Sequence, residues 1–283
     1  MLLSLSKNNP EHQFRIFTIS DGDLVGREEL AVCLRRDTVD LSFISLATEA
    51  LDDVMVSHHI RRVTYARLLI DQLLPLNIRR VLYLDCDLIV RGDIGDLWTT
   101  NLRGKTIGAV PDVLEYAFRT KLGLPEDAPY FNGGVLLIDL DKWRERKIGS
   151  RALAFAREHK ERLTWHDQCA LNFILHGDWL PLDPIWNHQQ LGDGVWFEGI
   201  MRFDKMTKAQ HDTIRIAHFT GSSKPWHYLN YHPLKSEYLE YRRLTPWPLE
   251  KFEDRYPHNI VWRFLHRYLP PLLPLYLKAR KIL

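Results

Sequence analysis

Between Gly134 and Leu140 the chain reads Gly-Val-Leu-Leu-Ile-Asp-Leu. Apolar side chains fill successive positions rather than alternate ones, so a strand here must be covered on both faces. Such strands are usual in parallel sheets with helices on either side. The surrounding pattern agrees. Phe14 to Ile19 reads as a strand closed by Ser20-Asp21-Gly22, and Leu41 to Ile44 as another, with a helix around Glu28 to Leu34 between them. Val63, Ala66, Ile70 and Leu73 or Leu74 keep a helical period that Pro75 stops. Val81 to Val90, Thr106 to Val110 and Ile214 to Phe219 are further strands. Ser150 suits the N-cap of a helix reaching His159, and Gln168 to Leu175 makes a helix with Gly177 as its C′ residue. Strands interleaved with helices predict an α/β fold with a largely parallel sheet.

The 283 residues can bury one large α/β core or two modest ones, and 45% hydrophobic with 26% charged residues is ordinary for a folded chain. A net charge of +2 does not argue for nucleic acid. Cys33, Cys86 and Cys169 are too widely spaced for a metal motif or a disulfide framework, which fits a reducing cytosol. No stretch is apolar enough to span a bilayer, and Met1-Leu-Leu-Ser-Leu-Ser6 is too short for a signal-peptide core. The expected location is therefore cytoplasmic.

The strand Val81-Leu-Tyr-Leu-Asp85-Cys-Asp87-Leu-Ile-Val90 carries two carboxylates one residue apart. Carboxylates are hard oxygen ligands for Mg²⁺ or Mn²⁺, the usual partners of a diphosphate, and ligands of open α/β sheets bind beyond the carboxyl ends of strands. The same pair also suits a turn cap and an ion pair with an Arg. A phosphotransferase of the haloacid-dehalogenase type also places Asp-x-Asp after an apolar strand. It requires Gly, Ser or Thr and then Thr or Val after the second Asp, where this chain has Leu88-Ile89.

Three other clusters sit at element ends. Ala217-His218-Phe-Thr-Gly221-Ser-Ser-Lys224-Pro-Trp226 offers an imidazole for a cation, then a turn and a Lys for phosphate oxygens; His218 equally suits a structural histidine. Tyr130-Phe-Asn132-Gly133-Gly134 permits close backbone approach to a ligand or forms a tight turn. In Trp165-His-Asp167-Gln168, Asp167 is a candidate N-cap.

Taken in order, Thr64-Tyr65-Ala66-Arg67, Asp85-Cys86-Asp87, Phe131-Asn132-Gly133-Gly134, Asp167-Gln168 and His218 with Gly221 to Lys224 resemble glycosyltransferase family 8, the retaining GT-A enzymes. The likeness covers roughly residues 1 to 230 and is greatest to bacterial lipooligosaccharide α-galactosyltransferases and lipopolysaccharide glycosyltransferases. It implies a GT-A, Rossmann-like nucleotide-sugar-binding sheet flanked by helices over residues 1–246. It further implies that Asp85, Asp87 and His218 bind Mn²⁺, with Mg²⁺ as the alternative, and that Gly221 and Lys224 contact the diphosphate of a UDP-hexose. Arg67, Asp85, Asn132, Gly133, Asp167 and Gln168 would hold the donor, with Asp167 and Gln168 at the reacting centre, and His59 and Asp112 would face a saccharide acceptor. The implied reaction moves galactose or glucose, galactose being slightly favoured, from UDP to an acceptor of lipopolysaccharide synthesis.

In this family an additional strand carrying Asp residues precedes Met1-Leu-Leu-Ser-Leu-Ser6 and binds uracil and ribose. Its lack is expected to reflect a late-annotated start codon or a truncated fragment. A non-catalytic nucleotide-sugar-binding member is the rival reading. Residues 247–283 differ in character: Trp262-Arg-Phe-Leu-His-Arg-Tyr-Leu269 and Lys278 to Lys281 interleave apolar and basic residues, and acidic residues cease after Asp254. Such a basic helical tail suits attachment to an anionic membrane surface, here the inner face of the cytoplasmic membrane, where a lipid-linked acceptor would lie. It also suits a helical cap on the catalytic domain.

Overall fold

The computed structural model describes residues 1–34, 38–46, 51, 54, 62–113, 119–189, 195–197, 200–202, 207–269 and 272. Its strands are β1 Phe14–Asp21, β2 Val39–Leu46, β3 Arg80–Leu84, β4 Leu88–Val90, β5 Ile107–Pro111, β6 Phe131–Asp139, β7 Trp179–Pro181, β8 Val195–Phe197, β9 Ile200–Arg202 and β10 Ile216–His218. Its α-helices are α1 Leu2–Asn8, α2 Arg27–Cys33, α3 Ile70–Leu73, α4 Gly95–Thr99, α5 Arg119–Leu122, α6 Leu140–Glu145, α7 Ile148–Glu158, α8 His166–Ile174, α9 Lys208–Thr213, α10 Lys235–Arg243 and α11 Pro257–Tyr268. None is long and apolar enough to cross a membrane among the described residues.

Two compact units are present, one of Met1–His188 with Ile214–Ala217, the other of Gln189–Thr213 with His218–Leu283. In the first, β1 and β2 pair in parallel, and β3-β6-β5-β7 form a four-stranded sheet. β6 is buried along nearly its whole length, as its apolar run requires. It is not parallel to its neighbours, however: β6 runs antiparallel to both β3 and β5, and only β5 and β7 are parallel. A central antiparallel strand covered on both faces has the same apolar pattern as a parallel one, so the pattern could not reveal the direction. The reversal has a direct consequence for chemistry. Leu84 at the end of β3 pairs with Val135 near the start of β6, and Pro111 at the end of β5 pairs with Phe131. The residues after β3, after β5 and at the start of β6 therefore share one rim of the sheet.

The tract Val81–Val90 is not one strand but two. β3 belongs to the four-stranded sheet, β4 pairs with β10, and Asp85 to Asp87 occupy the break between them. Other local expectations shift for identifiable reasons. Arg62–Leu69 is a 3₁₀ segment, and the α-helical part is confined to α3 before Pro75. The cap of α7 is Lys147 in the left-handed region (φ 51°), not Ser150, whose hydroxyl instead donates to the Lys147 carbonyl inside the first turn. Helix α8 starts at His166 with Trp165 as cap, so Asp167 lies within its first turn rather than before it. Gly177 does take a positive φ of 74°, but two residues beyond the Leu175 cap.

Around the sheet, α3, α7, α8 and the 3₁₀ segment pack through Leu68, Ile70, Ala152, Phe155, Ala170 and Leu171, all within one buried apolar cluster. α7 and the 3₁₀ segment meet at Gly149, where an added Cβ would stand 1.9 Å from the Leu68 carbonyl oxygen. Only glycine permits that approach, and it seats Leu68, the residue after Arg67, against the helix. In the second unit, Lys235 donates to the carbonyls of His227, Tyr228 and Asn230, and burial pushes its ammonium down to about 8. The α11 face bearing Trp262 packs on Tyr231, whereas Ile260, Val261, Phe264 and Tyr268 are exposed.

Candidate active site

Arg67 is the hub of the rim. The 3₁₀ segment delivers its side chain, only 5% exposed, to Gly133, Asp85 and Asp167, and its Nε also donates to the Thr64 carbonyl at 3.4 Å. Nη1 donates to the Gly133 carbonyl at 2.5 Å and Nη2 to Asp85 Oδ1 at 3.1 Å. Nε stands 2.6 Å from Asp167 Oδ2, as an ion pair without hydrogen-bond alignment. Burial works against the charged guanidinium, but the Asp167 and Asp85 carboxylates outweigh it and hold its pKa above the usual arginine value. The guanidinium also lies 4.8 Å from the centre of the Tyr83 ring, within cation–π range.

Burial acts in the opposite sense on Asp167, raising its carboxyl to about 6; Arg67 opposes the rise and Asp85 adds to it. Asp85 Oδ1 accepts a second hydrogen bond, from the Tyr83 hydroxyl at 2.7 Å, and its backbone N–H donates to the Gly134 carbonyl at 2.9 Å. Burial holds the Tyr83 phenol well above its ordinary pKa.

The start of β6 is fastened to α8 and β5 by amides. Gln168 Oε1 accepts from the Gly133 N–H at 2.8 Å, while its Nε2 donates to Asp112 Oδ2 at 3.1 Å. Asn132 Nδ2 donates to the same Asp112 oxygen at 3.0 Å, and its Oδ1 accepts from the Gly134 N–H and from Asn187 Nδ2, each at 2.9 Å. A carboxylate only accepts, so Asp112 decides which way both amides face. Asn172, one helical turn after Gln168, accepts from the Phe131 N–H and donates to the Phe131 and Gln168 carbonyls.

Asp85, Asp87 and His218 come together: one ligand atom from each lies within 4.8 Å of the others. β10 brings His218 there by pairing with β4, the strand that follows Asp87. Among the described residues this is the group of carboxylate and imidazole side chains suited to an ion. Ligand atoms opposite one another around a small divalent cation are about 4.2 Å apart, so the three side chains fit one after small adjustments. Two carboxylates and an imidazole form a donor set compatible with Mn²⁺.

Gly221 adopts φ 83° in the second unit, and Lys224 Nζ donates to the Phe219 carbonyl at 2.8 Å. His59 lies outside the described residues. Tyr83, Asn172 and Asn187 are parts of the network that the sequence reading did not single out. Asn172 carried a usable signal, a polar residue four positions after Gln168 on an otherwise apolar helix face.

Comparison with solved structures identifies the class. A galactosyltransferase LgtC crystal structure with donor and acceptor sugar analogues matches with a TM-score of 0.74 at 25% identity, covering 87% of this chain and 91% of that one. The fold is that of the GT-A glycosyltransferases. Among curated sequences, general stress protein A of Bacillus subtilis is 30% identical over 256 residues, covering 87% of this chain and 88% of the relative. The lipopolysaccharide 1,2-glucosyltransferase of Escherichia coli is 27% identical, covering 87% and 75%. Residues 13–230 match the family model of glycosyl transferase family 8, and the chain belongs to that family.

Proposed function

We propose that this glycosyltransferase is a Mn²⁺-dependent retaining enzyme that moves galactose or glucose from a UDP-hexose to a saccharide acceptor in lipopolysaccharide or lipooligosaccharide synthesis. The observation that carries the reading is the convergence of Asp85, Asp87 and His218 beside the Arg67 network. Similarity to an Escherichia coli lipopolysaccharide 1,2-glucosyltransferase and a Salmonella typhimurium lipopolysaccharide 1,3-galactosyltransferase supports the substrate class. In this reading Asp85, Asp87 and His218 hold the cation, with Mg²⁺ as the substitute, and a bound divalent cation supplies Lewis-acid stabilisation of the departing diphosphate. Gly221 and Lys224 bind phosphate oxygens, Lys224 exchanging its present carbonyl partner for them. Arg67, Asn132, Gly133, Asp167 and Gln168 hold the hexose, and His59 and Asp112 face the acceptor.

Retention needs either a covalent sugar–enzyme intermediate or attack on the face from which UDP leaves. The Gln168 amide is engaged at both ends, its oxygen by Gly133 and its nitrogen by Asp112. Asp167 is ion-paired to Arg67. Neither group is a free nucleophile, which favours same-face attack, with Gln168 and Asp167 orienting the sugar and stabilising its developing positive charge. Intact-mass detection of a hexosyl adduct on Asp167 or Gln168 would overturn that route.

The tail from residue 247 places the enzyme on the inner face of the cytoplasmic membrane, close to a lipid-linked acceptor. The exposed Phe264 and Tyr268 on α11 support this attachment. Flotation with anionic liposomes should be lost when residues 247–283 are deleted; equal flotation removes the attachment from the reading. The decisive assay is UDP release from a panel of UDP-sugars with Mn²⁺ or with chelator. Release from UDP-galactose or UDP-glucose that chelator abolishes is expected. Mn²⁺-independent release, or none from any UDP-hexose, refutes the proposal.

A further inference from the structure

Tyr83 and Asp85 lie two positions apart, and the side chains of an extended chain return to the same face at that spacing. The Tyr83 hydroxyl sits 2.7 Å from Asp85 Oδ1. The phenol is the donor, because a carboxylate has no proton to give. The same oxygen takes Arg67 Nη2 at 3.1 Å, and the Arg67 guanidinium lies 4.8 Å from the Tyr83 ring centre. Phenol on carboxylate, guanidinium on carboxylate and guanidinium on ring close a triangle. Arg67 is in turn shared with Asp167 and Gly133.

We infer that Tyr83 is a positioning residue: it sets the orientation of Asp85 for a divalent cation and ties that orientation to Arg67. The inference rests on the reading of Asp85, Asp87 and His218 as a cation site. Asp85 follows the last residue of β3, and its N–H donates to the Gly134 carbonyl. The terminal torsion of an aspartate is broad, and two donors on one oxygen narrow it before a cation arrives. Groups that orient metal ligands in this way typically contribute 10- to 100-fold to affinity. The phenol is the better candidate of the two donors to act on Asp85 alone, since Arg67 cannot follow Asp85 without disturbing Asp167.

The test is Mn²⁺ binding to the full chain without nucleotide, followed by electron paramagnetic resonance of the free ion. Wild type, Y83F, Y83L and D87N would be compared, with circular dichroism to verify folding. Saturable binding by wild type that D87N removes is expected. Y83F keeps the ring under Arg67 and loses only the hydroxyl; its Kd should rise about tenfold. Y83L should bind still more weakly, because Arg67 then loses the ring as well. A tyrosine that merely filled space would leave the Mn²⁺ Kd of Y83F at the wild-type value. That result, or tighter binding, overturns the inference while leaving the cation site standing. Absence of saturable wild-type binding overturns both. Should Y83L fail to fold, Y83F alone decides.

Discussion

Gly133→Ala probes the crowding at the centre of the network. A Cβ at Gly133 would stand 2.6 Å from Arg67 Nη1 and 3.5 Å from Gln168 Oε1. Comfortable contact begins at about 3.5 Å, so the guanidinium must retreat by nearly 1 Å. The far end of a free side chain would do so cheaply, but Arg67 is fixed by Gly133, Asp85 and Asp167. A retreat of that size breaks at least one charge-assisted hydrogen bond, each contributing about 1.5–3 kcal/mol. Inserting a methyl into a packed site costs about 1–3 kcal/mol on its own terms. The two are views of one displacement rather than additive, so a loss of about 2–3 kcal/mol is expected. For a chain of this size that lowers the melting midpoint by about 4 °C. Urea unfolding of the metal-free protein gives the free energy, and UDP release gives the activity, which should fall with it because the displaced guanidinium holds Asp85. G133A unfolding at the wild-type midpoint with wild-type activity would refute the claim that Arg67 is immobile.

Three other variants address separate parts of the network. Q168E puts a carboxylate where Nε2 now donates to Asp112 at 3.1 Å; two carboxylates at that distance share a proton, so activity should drop at neutral pH, and full activity of Q168E would contradict the assigned amide orientation. The Asp167 carboxyl, raised to about 6 by burial, binds more protons in the folded than in the unfolded metal-free chain between about pH 4 and 6. Its contribution to stability is present below that window and is lost as pH rises through it; D167N should flatten the slope, and an unchanged pH–stability curve would show that Arg67 already holds Asp167 at an ordinary value. N172A removes the partners of the Phe131 N–H and carbonyl and one partner of the Gln168 carbonyl, and should destabilise by about 3 kcal/mol in urea unfolding, whereas a change below about 1 kcal/mol would show that water replaces the amide.

Much of the architecture was legible because burial leaves a mark on composition. The β6 run, the β1 and β2 runs and the tract ending in Asp85 all read as strands. Direction and breaks were not legible. The reversal of β6 depends on which neighbours it meets, and the splitting of Val81–Val90 depends on β10, more than a hundred residues later. Ser150 and Asp167 are good cap residues that lie instead inside the first turns of α7 and α8, because these helices start at residues set by tertiary packing. At the site, carboxylates and His218 could be proposed from residue type and spacing. Asn187 and Tyr83 could not, since a lone amide or phenol reveals its partner only when the chain is folded.

The antiparallel placement of β6 also has a kinetic meaning. The hydrogen bond from Arg67 to Gly133 joins residues 66 apart, and that from Gln168 to Asp112 joins residues 56 apart. Loops of that length must close before either contact contributes, and chains rich in such separations fold slowly. During synthesis, Arg67 and Asp85 emerge long before Asp167, and His218 later still. The charged centre is thus a late product of folding: until α8 is made, Arg67 has one carboxylate partner in place of two.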